Sequence, residues 1–187
     1  MKQFCVLTTR VSLKAKRLQE MRWSITSGYT PGAIGKITQL HAQYYESLAG
    51  FGIAFESRVA LELAIFCERY DPAQDILLLL RDADNHEVHG SLAIDGIHGP
   101  TQGAQLRWFI TSECSRGQGL GRLMLAKAMN FCLQQGYPRI QLSTFEGLNA
   151  ARHLYEDAGF QLIHQAPGRQ WGVEVNEQVF EFSPSFA

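Results

Sequence analysis

Residues 103–136 read GAQLRWFITSECSRGQGLGRLMLAKAMNFCLQQG, and they carry the strongest structural signal of the chain. Ala104 to Thr111 is predicted to be a buried strand because large apolar side chains dominate it. From Gly121 to Gln135, apolar residues recur on one side at helical spacing and polar residues occupy the other side. Between these parts lies the turn Arg116-Gly117-Gln118-Gly119-Leu120-Gly121. The predicted order is therefore strand, glycine-rich turn, helix.

This order favours the binding of a phosphate or pyrophosphate. The first turn of a helix has backbone N–H groups without partners and the positive end of the helix dipole. Glycines at that place let an anion come close to the backbone. The dinucleotide fingerprint does not fit, since its third glycine would fall on Arg122, and no triphosphate-binding G-x-x-x-x-G-K-[ST] motif occurs. The pattern that fits is R-x-x-G-x-G, and a tight turn without a ligand is the alternative.

With this motif after a strand and before a helix, the chain resembles the GNAT superfamily of acyl-CoA-dependent N-acyltransferases. The resemblance implies that acetyl-CoA is the co-substrate, that the turn binds its pyrophosphate, and that no metal is needed. It also implies that the end of the central strand pairs with the pantetheine arm like an additional strand. The cofactor-binding residues implied are Phe109, Ile110, Thr111, Arg116, Gly117, Gln118, Gly119, Leu120, Gly121 and Arg122.

The remaining segments predict an α/β fold, a GNAT-like mixed, mostly antiparallel seven-stranded sheet with about four helices on its two faces. Two helices, about 31–48 and 54–70, separate the first two strands, as in that family. Pro167-Gly168 is predicted to join the last two strands. The strands are expected at about 21–29, 75–81, 87–97, 104–111, 139–144, 160–164 and 173–182, and the other helices at about 121–135 and 150–158.

Composition limits the classes of function. The chain has 187 residues, 45% hydrophobic and 19% charged, with a net charge of −1, so neither nucleic acid nor a membrane is an expected partner. Its four cysteines form no C-x-x-C pair, which favours reduced thiols and a cytoplasmic location. Residues 1–22 hold six Lys or Arg and one Glu. We therefore expect a basic, poorly ordered extension over residues 1–21 and an acyltransferase domain over residues 22–187.

A second resemblance lies in residues 143–160, STFEGLNAARHLYEDAGF. Tyr155 stands shortly before Gly159-Phe160, as a tyrosine does in the GNAT superfamily, and there its phenol would protonate the leaving thiolate as general acid. A core aromatic is the alternative reading of Tyr155. The family asparagine that binds pantetheine would fall on Leu148. Asn149 follows it and is either a cofactor-binding residue or a helix cap.

The general base is not evident in the sequence. Some members of the family carry a glutamate on the central strand, but Gln105 stands at that place and an amide cannot accept a proton near neutral pH. Glu56, Asp95 and His41 are the candidates by location. Arg107, on the same strand face as Gln105, needs an anionic partner. That partner is either internal, Glu56 or Asp95, or a carboxylate or phosphonate on the substrate.

The first two helices are expected to line the acceptor site, with Tyr44 and Tyr45 as substrate-binding residues. Their pattern, with His41, Gly50-Phe51-Gly52 and Phe55-Glu56, is similar to acyltransferase domains fused behind MarR-type DNA-binding domains. The resemblance implies acetyl transfer from acetyl-CoA to a primary amine of a small molecule or peptide, by direct attack in a ternary complex. An acyl-CoA-binding regulatory module with little turnover is the alternative, and a homodimer is left open.

Overall fold

The computed structural model describes residues 22–184, and the predicted basic extension, residues 1–21, lies outside the described residues. The helices and strands together form an α/β domain. They are β1 (Trp23–Ser27), α1 (Ala33–Ala49), α2 (Ile53–Glu68), β2 (Ile76–Asp82), β3 (Val88–Asp95), α3 (Gly99–Gln102), β4 (Ala104–Thr111), α4 (Leu120–Gln135), β5 (Ile140–Phe145), α5 (Asn149–Asp157), β6 (Gln161–Gly168) and β7 (Val175–Phe182).

One seven-stranded sheet has the order β1-β2-β3-β4-β5-β7-β6. Only β4 and β5 are parallel neighbours, so the predicted mixed, mostly antiparallel sheet is confirmed. The four predicted helices are present, and the single-turn helix α3 was not predicted. The predicted turn at Pro167-Gly168 is wrong, because these residues pair with Asn176 and Val175 inside the sheet and the chain turns after them.

Helices cover both faces of the sheet. On one face α1 and α2 enclose a core that includes Ile37, Leu63 and Leu79, each fully buried. On the other face α4 packs Met124 and Leu125 against the opposite side of the same strands. Burying one such side chain contributes roughly 1.5–3 kcal/mol, which explains why the apolar periodicity predicted these helices well. Nowhere in residues 22–184 is a helix both long and apolar enough to cross a membrane.

The sheet opens between β4 and β5. The two strands pair only at Ala104 with Ile140 and at Gln105 with Gln141, near their beginnings. Beyond these pairs the strands separate, and the rest of β4 has no strand neighbour on its β5 side. Backbone N–H and C=O groups at such an edge are free to pair with an extended ligand. The opening between β4 and β5 therefore provides a cleft lined by backbone.

A bulge at Trp108 sets the direction of the side chains in this cleft. Trp108 has φ 47°, and the pairing register of β3 with β4 shifts between Ser91 and Ala93. Leu106 packs in the α4 core, whereas Trp108 packs in the α1–α2 core, so simple alternation fails at this point. Ser91 Oγ donates a hydrogen bond to Trp108 O at 2.6 Å and stabilises the bulge. Arg107 and Trp108 consequently both lie on the α1–α2 side.

Candidate active site

Two cavities meet where β4 and β5 separate. The turn-side groove is lined by the end of β4, the glycine-rich turn and α5. The helix-side pocket is lined by α1, α2, β4, β5 and the connection between β6 and β7. Tyr45, Phe109 and Tyr155 line both cavities. A molecule in the groove and another in the pocket would therefore come into contact beside these three side chains.

The glycine-rich turn has the geometry of an anion site. Gly117 and Gly119 have φ of 71° and 76°, the left-handed region that glycine adopts without strain. Gly119 precedes the first residue of α4, and no side chain caps the helix there. The free N–H groups of the first turn and the positive end of the helix dipole therefore face the groove. A Cβ on Gly121 would lie 3.5 Å from Phe109 and Leu154, both of which line the groove.

Arg116 and Arg122 bring positive charge to this groove. Arg116 Nε donates to Thr111 O at 3.1 Å, and its guanidinium lies 4.5 Å from the centre of the Tyr44 ring. Arg122 forms an exposed ion pair with Asp157, with Nη2 and Oδ2 at 2.7 Å. Both arginines line the groove beside the turn. An anionic ligand that occupied the turn would thus be in reach of two guanidinium groups.

Most of the predicted cofactor-binding residues line the groove together. The side chain of Gln118 does not, because its Oε1 accepts from Trp23 Nε1 at 2.8 Å and its Nε2 donates to Cys114 O at 2.9 Å. Asn149 is exposed outside the groove and does not cap α5, whose N-cap Leu148 lines the groove instead. The predicted residues that line the groove are Phe109, Ile110, Thr111, Arg116, Gly117, Gly119, Leu120, Gly121 and Arg122.

Tyr155 lies at the junction of the two cavities. It is 6% exposed and packs between the rings of Phe109 and Phe180, each with its centroid 6.2 Å away. Burial, and to a smaller extent the neighbouring Tyr45, raises the pKa of the Tyr155 phenol far above its ordinary value of 10.0. The phenol is therefore protonated at neutral pH and can act as a proton donor.

Tyr44 and Tyr45 have different positions. Tyr45 lines both cavities, while Tyr44 lies under Arg116 and lines only the turn-side groove. The sequence predicts both as substrate-binding; of the two, Tyr45 lines the helix-side pocket and Tyr44 does not. Burial raises the pKa of Tyr45 well above its ordinary value, so this phenol is also neutral.

Among the three predicted bases, only His41 lines the helix-side pocket. Its Nδ1 lies 2.8 Å from Ile37 O, and since a carbonyl only accepts, Nδ1 carries the hydrogen and Nε2 is left as an acceptor. Burial lowers the pKa of His41 from 6.5 to about 4, against a smaller opposing effect of the Ile37 carbonyl. His41 is therefore uncharged at neutral pH and is a weak base.

Glu56 and Asp95 do not reach the pocket. Glu56 is exposed on α2 and is not among the residues that line the pocket. Asp95 is buried, forms ion pairs with Arg69 Nη2 at 2.5 Å and Arg107 Nη1 at 3.5 Å, and accepts a hydrogen bond from Ile97 N at 3.3 Å. Two guanidinium groups therefore hold this carboxylate in the scaffold, outside the pocket lining.

Arg107 has internal partners in the structure. Its Nη2 contacts Glu62, its Nη1 faces Asp95, and its guanidinium stacks 4.2 Å above Trp108. Of the two internal partners that the sequence suggested, Asp95 is one and Glu56 is not. Glu62 was missed, although its spacing from Phe55 and Val59 places a carboxylate on the inner stripe of α2.

Glu62 is the carboxylate of the helix-side pocket, and two arginines neutralise it. Arg58 Nε donates to Glu62 Oε1 at 2.8 Å, and Arg107 contacts the other oxygen. Arg58 also reaches across the pocket, where its Nη1 donates to Gln170 O at 2.7 Å. This bond holds the connection between β6 and β7 against α2. Gln170 and Trp171 of the β6–β7 connection therefore form part of the pocket lining.

Five aromatic rings form one side of the pocket, and we refer to them as the aromatic wall. The Phe51 ring lies 5.9 Å from Trp171 in a stacked arrangement and 5.2 Å from Phe145. Sequence reasoning did not find Phe145 or Trp171 as site residues, because they belong to β5 and to the β6–β7 connection, far from α1 and α2 in sequence. The members of the aromatic wall are Tyr45, Phe51, Phe55, Phe145 and Trp171.

Neither cavity has the side chains of a metal site. Residues 22–184 contain no group of three or more His, Cys, Asp or Glu side chains placed to hold a metal ion. The described cysteines, Cys67, Cys114 and Cys132, are all free thiols and line neither cavity. The groups beside the junction are the phenol of Tyr155, the backbone of β4 and the neutral imidazole of His41.

Known proteins share this sequence pattern and this fold. Residues 37–160 match the model of the acetyltransferase (GNAT) family. The chain is 28% identical over 138 residues to an uncharacterized N-acetyltransferase of Schizosaccharomyces pombe, and the match covers 74% of this chain and 82% of that protein.

Three solved structures show the same fold. An acetyltransferase from Streptococcus agalactiae 2603 superimposes with a TM-score of 0.66 at 21% identity, over 87% of this chain and 98% of that one. The protein yncA from Salmonella typhimurium, solved with acetyl-CoA, gives 0.67 at 16% identity, over 89% and 96%. Spermidine N-acetyltransferase from Vibrio cholerae, in complex with CoA and spermine, gives 0.64 at 18% identity, over 87% and 95%.

Proposed function

The chain belongs to the acetyltransferase (GNAT) family, and from this premise we propose that it transfers an acetyl group from acetyl-CoA to an amine. The observation that carries the proposal is the junction of the two cavities at Tyr45, Phe109 and Tyr155. A thioester at the end of the groove would face an amine in the pocket across these side chains. Holding two reactants in this way supplies much of the rate of a transfer reaction.

The turn-side groove is the proposed site of acetyl-CoA. Its pyrophosphate would accept hydrogen bonds from the backbone N–H groups at Gly117 to Gly121, beside Arg116. The pantetheine arm would lie along the free edge of β4 at Phe109 to Thr111, where β5 no longer pairs. Acetyl-CoA in the structure of yncA supports this choice of co-substrate, since the two proteins share the fold.

The proposed reaction is a direct attack within a ternary complex. The amine nitrogen bonds to the thioester carbonyl carbon and gives up a proton to water or to Nε2 of His41, and the carbon–sulfur bond then breaks. Backbone N–H groups of β4 would stabilise the negative charge on the carbonyl oxygen, and Tyr155 would give its proton to the leaving sulfur. The burial that raises the pKa of Tyr155 would also raise the pKa of a coenzyme A thiol formed beside it, and would thus favour protonation of the thiolate. The described cysteines line neither cavity, which favours direct attack over an acetyl-cysteine intermediate.

A second candidate function is an acyl-CoA-binding module with little turnover. The observation that favours it is the lack of a free carboxylate in the pocket, where Gln105 lies on β4 and Glu62 is neutralised by two arginines. The similarity to domains fused to MarR-type proteins agrees with this candidate and stays a prediction. A cytoplasmic location and a homodimer likewise stay predictions.

Release of coenzyme A thiol with and without added amines separates the two functions. An acetyltransferase gives thiol release that rises with amine concentration and a product heavier by one acetyl group in mass spectrometry. A binding module gives calorimetric binding of acetyl-CoA with the same slow release in the presence and absence of every amine. That second result would reject acetyl transfer and leave the cofactor site intact.

A further inference from the structure

The walls of the helix-side pocket indicate which kind of amine it receives. We propose that the acceptor is an arylamine, a compound whose amino group is attached directly to an aromatic ring and is uncharged at neutral pH. This inference rests on the proposed function and specifies its substrate. It follows from three features of the pocket: its aromatic wall, its paired charges and its lack of a free base.

The aromatic wall places apolar aromatic rings next to the junction. Tyr45 belongs to the wall and also lines the turn-side groove, so the wall begins where the thioester would lie. Phe145 stands 5.8 Å from Tyr45 and 5.6 Å from Trp171, which continues the wall toward the β6–β7 connection. Aromatic rings stack face to face with an offset or edge to face at such separations. A planar ring that presented its nitrogen to Tyr155 could pack along this wall.

The charge of the pocket disfavours an ammonium group. Its titratable lining residues include two guanidinium groups, those of Arg58 and Arg107, and one carboxylate, that of Glu62. His41 and the two tyrosines are neutral, and Arg107 also faces Asp95 at 3.5 Å, so the charges around Glu62 are already paired. Glu62 is already contacted by both arginines, and a cation placed beside it would also face them. A polyamine or other alkyl ammonium ion is therefore a poor match for this pocket.

Among the described residues that line the pocket, none offers a free basic atom of a carboxylate to an alkyl ammonium ion. Gln105 is an amide, both carboxylate oxygens of Glu62 are contacted by arginines, and burial lowers the pKa of His41 to about 4. An arylamine needs no such base before the reaction, because its lone pair is delocalised into the ring and the nitrogen is unprotonated at neutral pH. After attack the nitrogen becomes strongly acidic, and Nε2 of His41 or water can take its proton. That proton balances the one that Tyr155 gives to the leaving sulfur.

Four amines test the proposal at pH 7: aniline, benzylamine, cyclohexylamine and spermidine. Benzylamine keeps the ring but is charged, and cyclohexylamine keeps the size of aniline but is charged and not flat. We expect kcat/KM to be largest for aniline and at least about tenfold lower for cyclohexylamine and spermidine. Between pH 7 and 8.5, kcat/KM should rise about tenfold per pH unit for benzylamine and stay nearly constant for aniline, since only benzylamine must lose a proton.

A substitution in the aromatic wall tests whether the wall causes the preference for aniline. Trp171→Ala should lower kcat/KM for aniline by about 3- to 10-fold and change that for cyclohexylamine less, because the loss is one of stacking. Val173→Ala, on the same connection but outside both cavities, is the matched control and should leave both values unchanged. Equal losses for the two amines in Trp171→Ala would show a general packing role and contradict the inference.

The outcomes also separate this inference from the proposed function. Acetylation of spermidine or cyclohexylamine at rates equal to or above that of aniline would overturn the arylamine class while acetyl transfer stands. A parallel rise of the aniline and benzylamine rates with pH would overturn it as well, since a base of the enzyme would then control both. If no amine raised thiol release although acetyl-CoA bound, acetyl transfer itself would be rejected and the arylamine class with it.

Discussion

Acidification from pH 7 to pH 5 should destabilise the protein through His41. Burial lowers the pKa of His41 to about 4, against 6.5 in an unfolded chain. Between these two values the unfolded state binds more protons than the folded state, so the free energy of unfolding falls as the pH falls. The contribution of His41 to the free energy of unfolding is complete above about pH 6.5 and is lost progressively as the pH falls toward 4. Linkage of these two pKa values gives a loss of about 2 kcal/mol between pH 7 and pH 5.

His41→Gln tests this value, because glutamine does not titrate and can still donate to the Ile37 carbonyl. Urea unfolding at the two pH values should show a drop about 2 kcal/mol smaller in His41→Gln than in the unchanged protein. His164→Gln, at an exposed position of β6, should keep the full drop. The lowered pKa values of the Asp82 and Glu87 carboxyls act mostly below pH 5, outside the window. Equal pH dependence in His41→Gln and the unchanged protein would show that His41 is not a buried neutral side chain.

Three further predictions concern the junction, the turn and the scaffold. Tyr155→Phe should lower kcat by about 10²–10⁴-fold with little change in KM for acetyl-CoA, and a drop under about threefold would assign the proton to another donor. Gly121→Val should abolish calorimetric binding of coenzyme A while far-UV circular dichroism stays unchanged, because added methyl groups would enter the groove beside Phe109. Arg107→Met should cost about 1–3 kcal/mol of stability by removing a partner of Asp95. The exposed Arg122→Met, its control, should cost less than about 1 kcal/mol, and equal losses would contradict the scaffold role.

The sequence alone was sufficient for the parts of the fold that depend on local pattern. The strand from Ala104 to Thr111 and the helix that ends at Gln135 agree with the structure, since apolar periodicity and glycines determine them. The glycine-rich turn joins these two elements, and Tyr155 lies on the separately predicted helix α5; both line one groove.

The rest of the site depends on contacts between distant segments. The bulge at Trp108 is stabilised by Ser91 of the neighbouring strand, and nothing in the local sequence of β4 indicates it. Trp171 lines the pocket from the β6–β7 connection, which is bonded to α2 through Arg58 Nη1 and Gln170 O. Asn149 has the residue type of a helix cap, yet it is the first residue of α5 and Leu148 stands at the N-cap, so the path of the chain outweighs the propensity. Glu62 could have been found from its spacing on α2.

A crystal structure with acetyl-CoA bound is the most direct measurement of the central claim, that the two cavities form one reaction site. We expect the pyrophosphate to lie within hydrogen-bonding distance of the backbone N–H groups at Gly117 to Gly121. We also expect the thioester carbonyl carbon to lie between Tyr155 and Phe109, open to the pocket that holds Trp171. Acetyl-CoA bound with its pyrophosphate away from this turn, or with its thioester closed off from the helix-side pocket, would contradict the account.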